Sequence, residues 1–266
     1  ALEGPDALAF AQAQFMNDVS ALGDGQWQWN GWLTPKGRVI ALFALLRLDA
    51  RTLWLLLPDV GAAELAPLLQ RFVFRSKVAL SVPSVAVNGG FHPPNAASGA
   101  SFAVIADNQI ELDMSGGGGA RTVRIAASAA PGDASAVSHW AAFDMAHGLP
   151  RLPPSQSELW TPQQLSLDRL HAFSVKKGCY PGQEIVARTH FLGQAKRGLV
   201  ALCASAPIPI GADVELDGTA IGKIVSASPA EPCFALAVLP VQRGTGGLSA
   251  AGLGLNDIGL REGLVR

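Results

Sequence analysis

Lys176-Lys177-Gly178-Cys179-Tyr180-Pro181-Gly182-Gln183-Glu184 carries the least ordinary local chemistry of the chain. Gly178 and Gly182 open backbone geometries closed to other residues, and Pro181 fixes one φ angle. The thiol of Cys179 therefore sits on a tight, defined turn. Lys176 and Lys177 favour thiolate over thiol, as would free amides at a following helix N-terminus. On this reading Lys177→Ala makes the thiol less acidic. A thiolate is a nucleophile, a metal ligand or a redox handle. The bland alternative is a small apolar plug in a core gap, as free cysteines often are. Gln183-Glu184-Ile185-Val186-Ala187-Arg188 then opens a short helix or strand.

Working outward, the 266 residues are 49% hydrophobic and 15% charged, the balance of a globular chain with room for two or three modules. A net charge of −1 gives no general basic footprint for DNA or RNA. Locally, Lys176, Lys177, Arg188, Lys196 and Arg197 are close in sequence and form a possible RNA surface. The 3 cysteines, Cys179, Cys203 and Cys233, have no C-x-x-C spacing, which argues against a disulfide framework or a self-contained zinc or iron–sulfur site. A reducing cytoplasm is the expected setting. The longest apolar run, Val39 to Leu46, is too short to span a bilayer, and no signal peptide is visible. Residue 1 is not methionine, which leaves room for an upstream segment.

Read in order, residues 5–19 form an amphipathic helix with Leu8, Ala11, Phe15 and Val19 on one stripe. Gln26 to Trp32 alternates like a strand, with Trp27 and Trp29 on one face and Gln26, Gln28 and Asn30 on the other. Thr34-Pro35-Lys36-Gly37 is a turn. Strands are expected over 38–48 and 51–57, a helix over 61–71 and a closing strand over 76–82. Further strands follow over 101–106, 109–114 and 121–127. Gly116 to Gly119 lacks the Lys-Ser/Thr of a phosphate loop and reads as a flexible hairpin tip. The pattern is α+β, divided as modules 1–83 and 84–195.

Residues 133–147 form a second helix, capped by Asp133 and ended by Gly148 and Pro150. Val137, Trp140, Ala141, Asp144 and Met145 share a face. Asp144 is either a carboxylate in water at the core edge or a ligand contact; Trp140 is either core or a stacking surface. Residues 149–168 are proline-rich and aperiodic, and 171–175 make a short strand leading to Cys179. From 196 to 266, short apolar segments at 198–203, 214–216, 220–226, 233–239 and 258–265 indicate a small β-barrel. Gly244 to Gly254 is a loose glycine cluster outside those strands, and Cys203 and Cys233 read as core.

The run Lys177-Gly178-Cys179-Tyr180-Pro181-Gly182-Gln183-Glu184 resembles the signature of the YgfZ family, folate-binding relatives of the glycine-cleavage T-protein. Gly4-Pro5-Asp6-Ala7 with Phe10, Gln14, Asn17 and Asp18-Val19 resembles the family's opening helix. Lys36-Gly37-Arg38-Val39 resembles its first hairpin, and Phe74-Arg75-Ser76-Lys77-Val78 its turn into the closing strand. Trp140 with Gly148-Leu149-Pro150 resembles the segment holding a folate-contacting tryptophan. Glu158, Trp160, Pro162 and Gln163 resemble the lead-in to the cysteine motif.

The resemblance implies three modules around a central folate channel. Tetrahydrofolate or another folate is the implied cofactor, with Trp140, Asp144, Trp27 and Asn17 as its contacts and no metal. It implies Cys179 as the reactive thiol assisted by Lys177, with Gly178, Tyr180, Gly182, Gln183, Glu184 and Arg188 completing the motif. The implied role is an accessory one in iron–sulfur cluster assembly or repair, reaching tRNA modification through iron–sulfur proteins or their assembly machinery.

Two departures count against aminomethyl transfer. T-proteins place an acid after the first hairpin, where this chain has Gly37 to Leu42 without one. They also grip the pterin with a glutamate where this chain has Ala146, with Asp144 the nearest carboxylate. Of other chemistries, neither G-x-S-x-G nor H-E-x-x-H occurs. His171 or His190 is available as a base for a Cys–His hydrolase. Direct tRNA binding is a third reading.

Overall fold

A strand with three tryptophans needs apolar partners on both faces, and the first sheet is built to supply them. In the computed structural model, which describes residues 1–107, 109–193 and 195–266, the order begins β1 (Leu2–Glu3), α1 (Ala7–Gln14), β2 (Gln26–Leu33), β3 (Val39–Asp49), β4 (Thr52–Leu56), α2 (Ala62–Gln70) and β5 (Ala79–Leu80). The sheet runs β2-β3-β4-β1-β5. Trp27 and Trp29 of β2 and Leu42 and Ala44 of β3 face one cluster. Trp32, Phe43 and Leu45 face the other, against Phe10 and Phe15. The polar face expected for Gln28 and Asn30 is thus buried too. The Asn30 carboxamide oxygen accepts the backbone N–H of Asn17 and Gly31, both at 2.9 Å.

The opening helix ends well before residue 19. Phe15 is fully buried edge-on to Phe43, with ring centroids 5.0 Å apart. To reach that place the chain leaves the helix after Gln14, bridging Phe15 to Trp32 and donating the Met16 N–H to the Gly31 carbonyl at 2.9 Å. Burying an aromatic ring outweighs extending a marginal helix. Pro67 lies inside α2 without ending it, and the expected closing strand shrinks to β5.

The second sheet is antiparallel: β6 (Ala86–Gly90), β7 (Ala103–Ala106), β8 (Gln109–Asp113) and β9 (Thr122–Ala126), in the order β6-β9-β8-β7. Its hairpin tip is packed, contrary to the flexible tip expected. The Gly117 N–H donates to the Glu262 carbonyl at 2.8 Å, and a side chain on Gly116 would sit 2.7 Å from the His147 ring. α3 (Ala134–Ala146) follows. The Asp133 carboxylate caps it by accepting from Ser135 and Ala136 N–H, and Gly148 stops it at φ +67°.

Residues 149–182 hold two short 3₁₀ turns, and no strand forms over 171–175. Instead the stretch bonds to the first sheet, Trp160 O accepting from Val39 N–H and Glu158 N–H donating to Val39 O, both at 2.8 Å. α4 (Gln183–Leu192) comes next. The remainder is β10 (Arg197–Cys203), β11 (Asp213–Leu216), β12 (Thr219–Ala227), β13 (Phe234–Pro240), β14 (Leu248–Ala250) and β15 (Leu253–Ile258). They close as a barrel, β10-β13-β12-β11-β14-β15. β14 and the start of β15 come from the glycine cluster, and of the strand expected over 258–265 only Ile258 is in a strand, 259–265 forming a tail. Cys233 is buried as expected and Cys203 half-buried.

Candidate functional site

Between the two sheets and α3 lies a cavity of about 530 Å³. β2 and β3 supply Trp29, Leu42 and Ala44; the second sheet supplies Asn88, Gly89 and Val123. Phe91 stands beside them, and α3 contributes Val137, Trp140, Ala141 and Asp144. The helix face singled out in the sequence therefore lines a cavity, which is why Val137 is exposed although Met145 is buried. Trp140 meets Phe91 edge-on at 5.7 Å. Gly89 is required beside it, since a Cβ there would lie 2.9 Å from the indole.

Asp144 is neither in water nor free. It is 2% exposed, its Oδ1 accepts from Arg121 Nη1 at 2.8 Å, and its Oδ2 lies 3.7 Å from Arg151 Nη1. Burial pushes its carboxyl up, and the Arg121 and Arg151 guanidiniums pull it back. Arg121 is itself fully buried, with its guanidinium carbon 4.2 Å from the Trp140 ring centroid and 3.8 Å from that of Phe143. An arginine keeps its proton in a protein, so Asp144 must be ionised to balance it. Arg151 is oriented by Asp59 at 2.5 Å and by the Pro58 carbonyl at 2.7 Å. Sequence reading missed both arginines. The available signal was Arg121 at the head of a strand that already carries a second cation, Arg124, on its more exposed positions.

Trp27 and Asn17 belong elsewhere. The Trp27 indole donates to the Gly99 carbonyl at 3.1 Å and packs on Trp29, whose own ring reaches the cavity. The Asn17 carboxamide donates to the carbonyls of Trp29 and His171, tying 3₁₀ turn to strand. Both are structural here.

The cysteine motif divides into an inward and an outward half. Lys177, Tyr180 and Gly182 are buried; Lys176, Gly178, Cys179, Glu184 and Arg188 are exposed. The Lys177 ammonium, expected beside the thiol, is turned into the first module. It donates to the carbonyls of Gln12, Phe15 and Asn17, at and just beyond the end of α1, and lies 4.8 Å from the Tyr180 ring centroid. Burial lowers its pKa to about 8, with Asp18 opposing, so it remains charged at neutral pH. Tyr180 donates its hydroxyl to Ser174 O at 3.1 Å, and burial raises its pKa to about 12.

Gly182, at φ +80°, precedes α4 and lies backbone to backbone on the first hairpin. A Cβ there would be 2.6 Å from Gly37 Cα and from Thr34 O. Gln183 Nε2 reaches back to Lys177 O at 3.5 Å. Gly178 has open space around it. No motif residue lines the cavity, so the thiol and the cavity are separate places on the molecule. The basic surface drawn from sequence loses Lys177 to burial and Arg197 to a 2.6 Å bond with Ile221 O. Among the described residues no cluster of three His, Cys, Asp or Glu forms a metal site, and no helix is long and apolar enough to cross a membrane.

Two sheets, an intervening helix and a closed barrel define a T-protein-like fold. The glycine cleavage system aminomethyltransferase T of Bartonella henselae shares it with a TM-score of 0.73 over 97% of this chain and 81% of that one, at 15% identity. No family model matches the sequence. Two proteins called tRNA-modifying protein YgfZ, from Cronobacter sakazakii and Klebsiella pneumoniae, are each 30% identical over 81% of this chain and 72% of their own. An uncharacterized Haemophilus influenzae protein is 28% identical over 74% of this chain. The chain belongs to the YgfZ family.

Proposed function

We propose that the protein is a folate-binding accessory factor in tRNA modification. In this reading it acts through assembly or repair of the iron–sulfur enzymes involved, with Cys179 as its reactive thiol. The observation that carries the folate part is the cavity at the junction of the sheets, walled by Trp29, Phe91 and Trp140 and ending in one carboxylate between two guanidiniums. A flat heterocycle fits against the Trp140 indole, and Asp144 is the acceptor at hand for its N–H donors. Tetrahydrofolate would supply a reductant or a one-carbon carrier when bound. The chain's own residues would hold the ring, orient it and exclude water.

Iron–sulfur enzymes and their assembly machinery are the proposed partners. The exposed position of Cys179, on a turn anchored from within by Lys177 and Tyr180, suits contact with a partner's cluster better than chemistry on a ligand in the cavity. Aminomethyl transfer is not favoured. The β3 wall presents Leu42 and Ala44 in place of an acid.

Anaerobic calorimetric titration with tetrahydrofolate tests this. Micromolar binding by the wild type and none by Trp140→Ala is expected. No binding by the wild type would remove folate from the account.

A further inference from the structure

Phe74 is 85% exposed, the barest large apolar side chain among the described residues. It stands in Arg71-Phe72-Val73-Phe74-Arg75-Ser76-Lys77, the loop leaving α2. Arg71, Phe72, Arg75 and Lys77 are exposed as well, Phe72 at 41%. Among the described residues, none of these three cations has a carboxylate partner within salt-bridge distance, whereas Arg47, Arg124 and Arg151 all have one.

The loop is nonetheless fixed. Phe72 meets Trp32 of β2 edge-on with centroids 5.7 Å apart, and the Lys77 N–H donates to the Asp6 carboxylate at 2.6 Å. Val78 then anchors it in the core. A rigid loop holding one bare ring and one braced ring among cations without an ion-pair partner has an identifiable chemistry. The rings offer flat faces on which bases stack, and the neighbouring cations offer contacts to phosphates. Three exposed cations in seven residues match a phosphate backbone better than an apolar protein face.

We infer that the Arg71–Lys77 loop is a docking surface for single-stranded RNA, with Phe74 as the stacking residue and Arg71 and Arg75 as phosphate contacts. The choice of RNA rests on the proposed role in tRNA modification; the surface itself uses neither the cavity nor Cys179. Trp32, which braces Phe72, lies in β2 just before the Thr34–Gly37 turn that carries Gly182. The loop and the thiol-bearing turn are therefore both supported by one hairpin.

The test is fluorescence anisotropy of a labelled single-stranded RNA with the full chain over a salt series, without folate. The wild type is expected to bind with affinity falling steeply as salt rises, and to bind a paired duplex of equal length more weakly. Phe74→Ala should lose about tenfold or more in affinity with the salt slope unchanged. Arg75→Gln should reduce the salt slope by about 0.7, the value for one single-strand phosphate. Both positions are exposed, and circular dichroism is the check that the variants fold. Absence of wild-type binding at low salt overturns the inference, as do variants that bind like wild type or a salt slope that Arg75→Gln leaves intact. Because no folate is present, those failures would leave the reading of the cavity untouched.

Discussion

At the scale of single residues, the chemistry of the motif is divided between two neighbours that sequence reads as one unit. Lys177 lies two positions from Cys179, and proximity in sequence suggested that it tunes the thiol. Its ammonium instead satisfies three carbonyls at and beyond the end of α1. Lys177→Met leaves those acceptors buried without a donor and is expected to cost about 2–3 kcal/mol in urea unfolding. Cys179→Ser should stay within about 0.5 kcal/mol of wild type. The folded Lys177→Met protein should alkylate at Cys179 at the wild-type rate. A slower rate at full stability would restore the lysine to the thiol. Cys179, Trp140 and Asp144 were legible because their residue types clash with their neighbours. The direction of Lys177 and the pairing of Asp144 with Arg121 were not, because partners 165 and 23 positions away decide them.

At the scale of elements, local rules worked where local partners decide. α3 begins at its Asp cap and stops at its glycine. The turn before β3 forms as its Pro-Lys-Gly indicates. They failed where an element is finished by something distant, as with the short α1 and the β3 edge taken up by residues 158–160. The second sheet carries the clearest titration. Burial opposes the charge of Glu111, but the N–H groups of Ala96, Ala97 and Asn95 together with Arg124 outweigh it and hold the carboxyl at about 2. Unfolded, it would take up a proton near its usual 4.5. The stabilisation is complete above that value and is lost as pH falls from about 4.5 to about 2. Glu111→Gln should flatten that part of the acid-unfolding curve. An unchanged acid limb would mean the 95–97 loop is held by other bonds.

At the scale of the whole molecule, one core joins all three parts of the chain. Trp29, Leu112, Met145, Leu236 and Leu264 pack in a single cluster. The barrel and the α+β pattern were visible because their strands repeat locally. The tail was not, since residues 259–266 form no regular element and act only through what they touch. Arg261 N–H donates to Ala146 O, Arg266 reaches the carbonyls of Asp113 and Ser115, and Leu264 O accepts the Trp29 indole N–H at 2.7 Å.

The Trp29–Leu264 bond spans 235 positions. A ribosome adding about 5–20 residues per second needs on the order of tens of seconds to pass from one to the other. For that interval β2, an edge strand of the first sheet, lacks this brace, as does the cavity wall it forms. Nascent chains arrested after Ile258 should therefore be cut within β2 by a protease that spares the finished chain; equal protection would show that β2 matures on its own. The clock that completes the cavity is thus set by translation speed, and a small molecule present during synthesis meets a half-built wall before it ever meets the finished one.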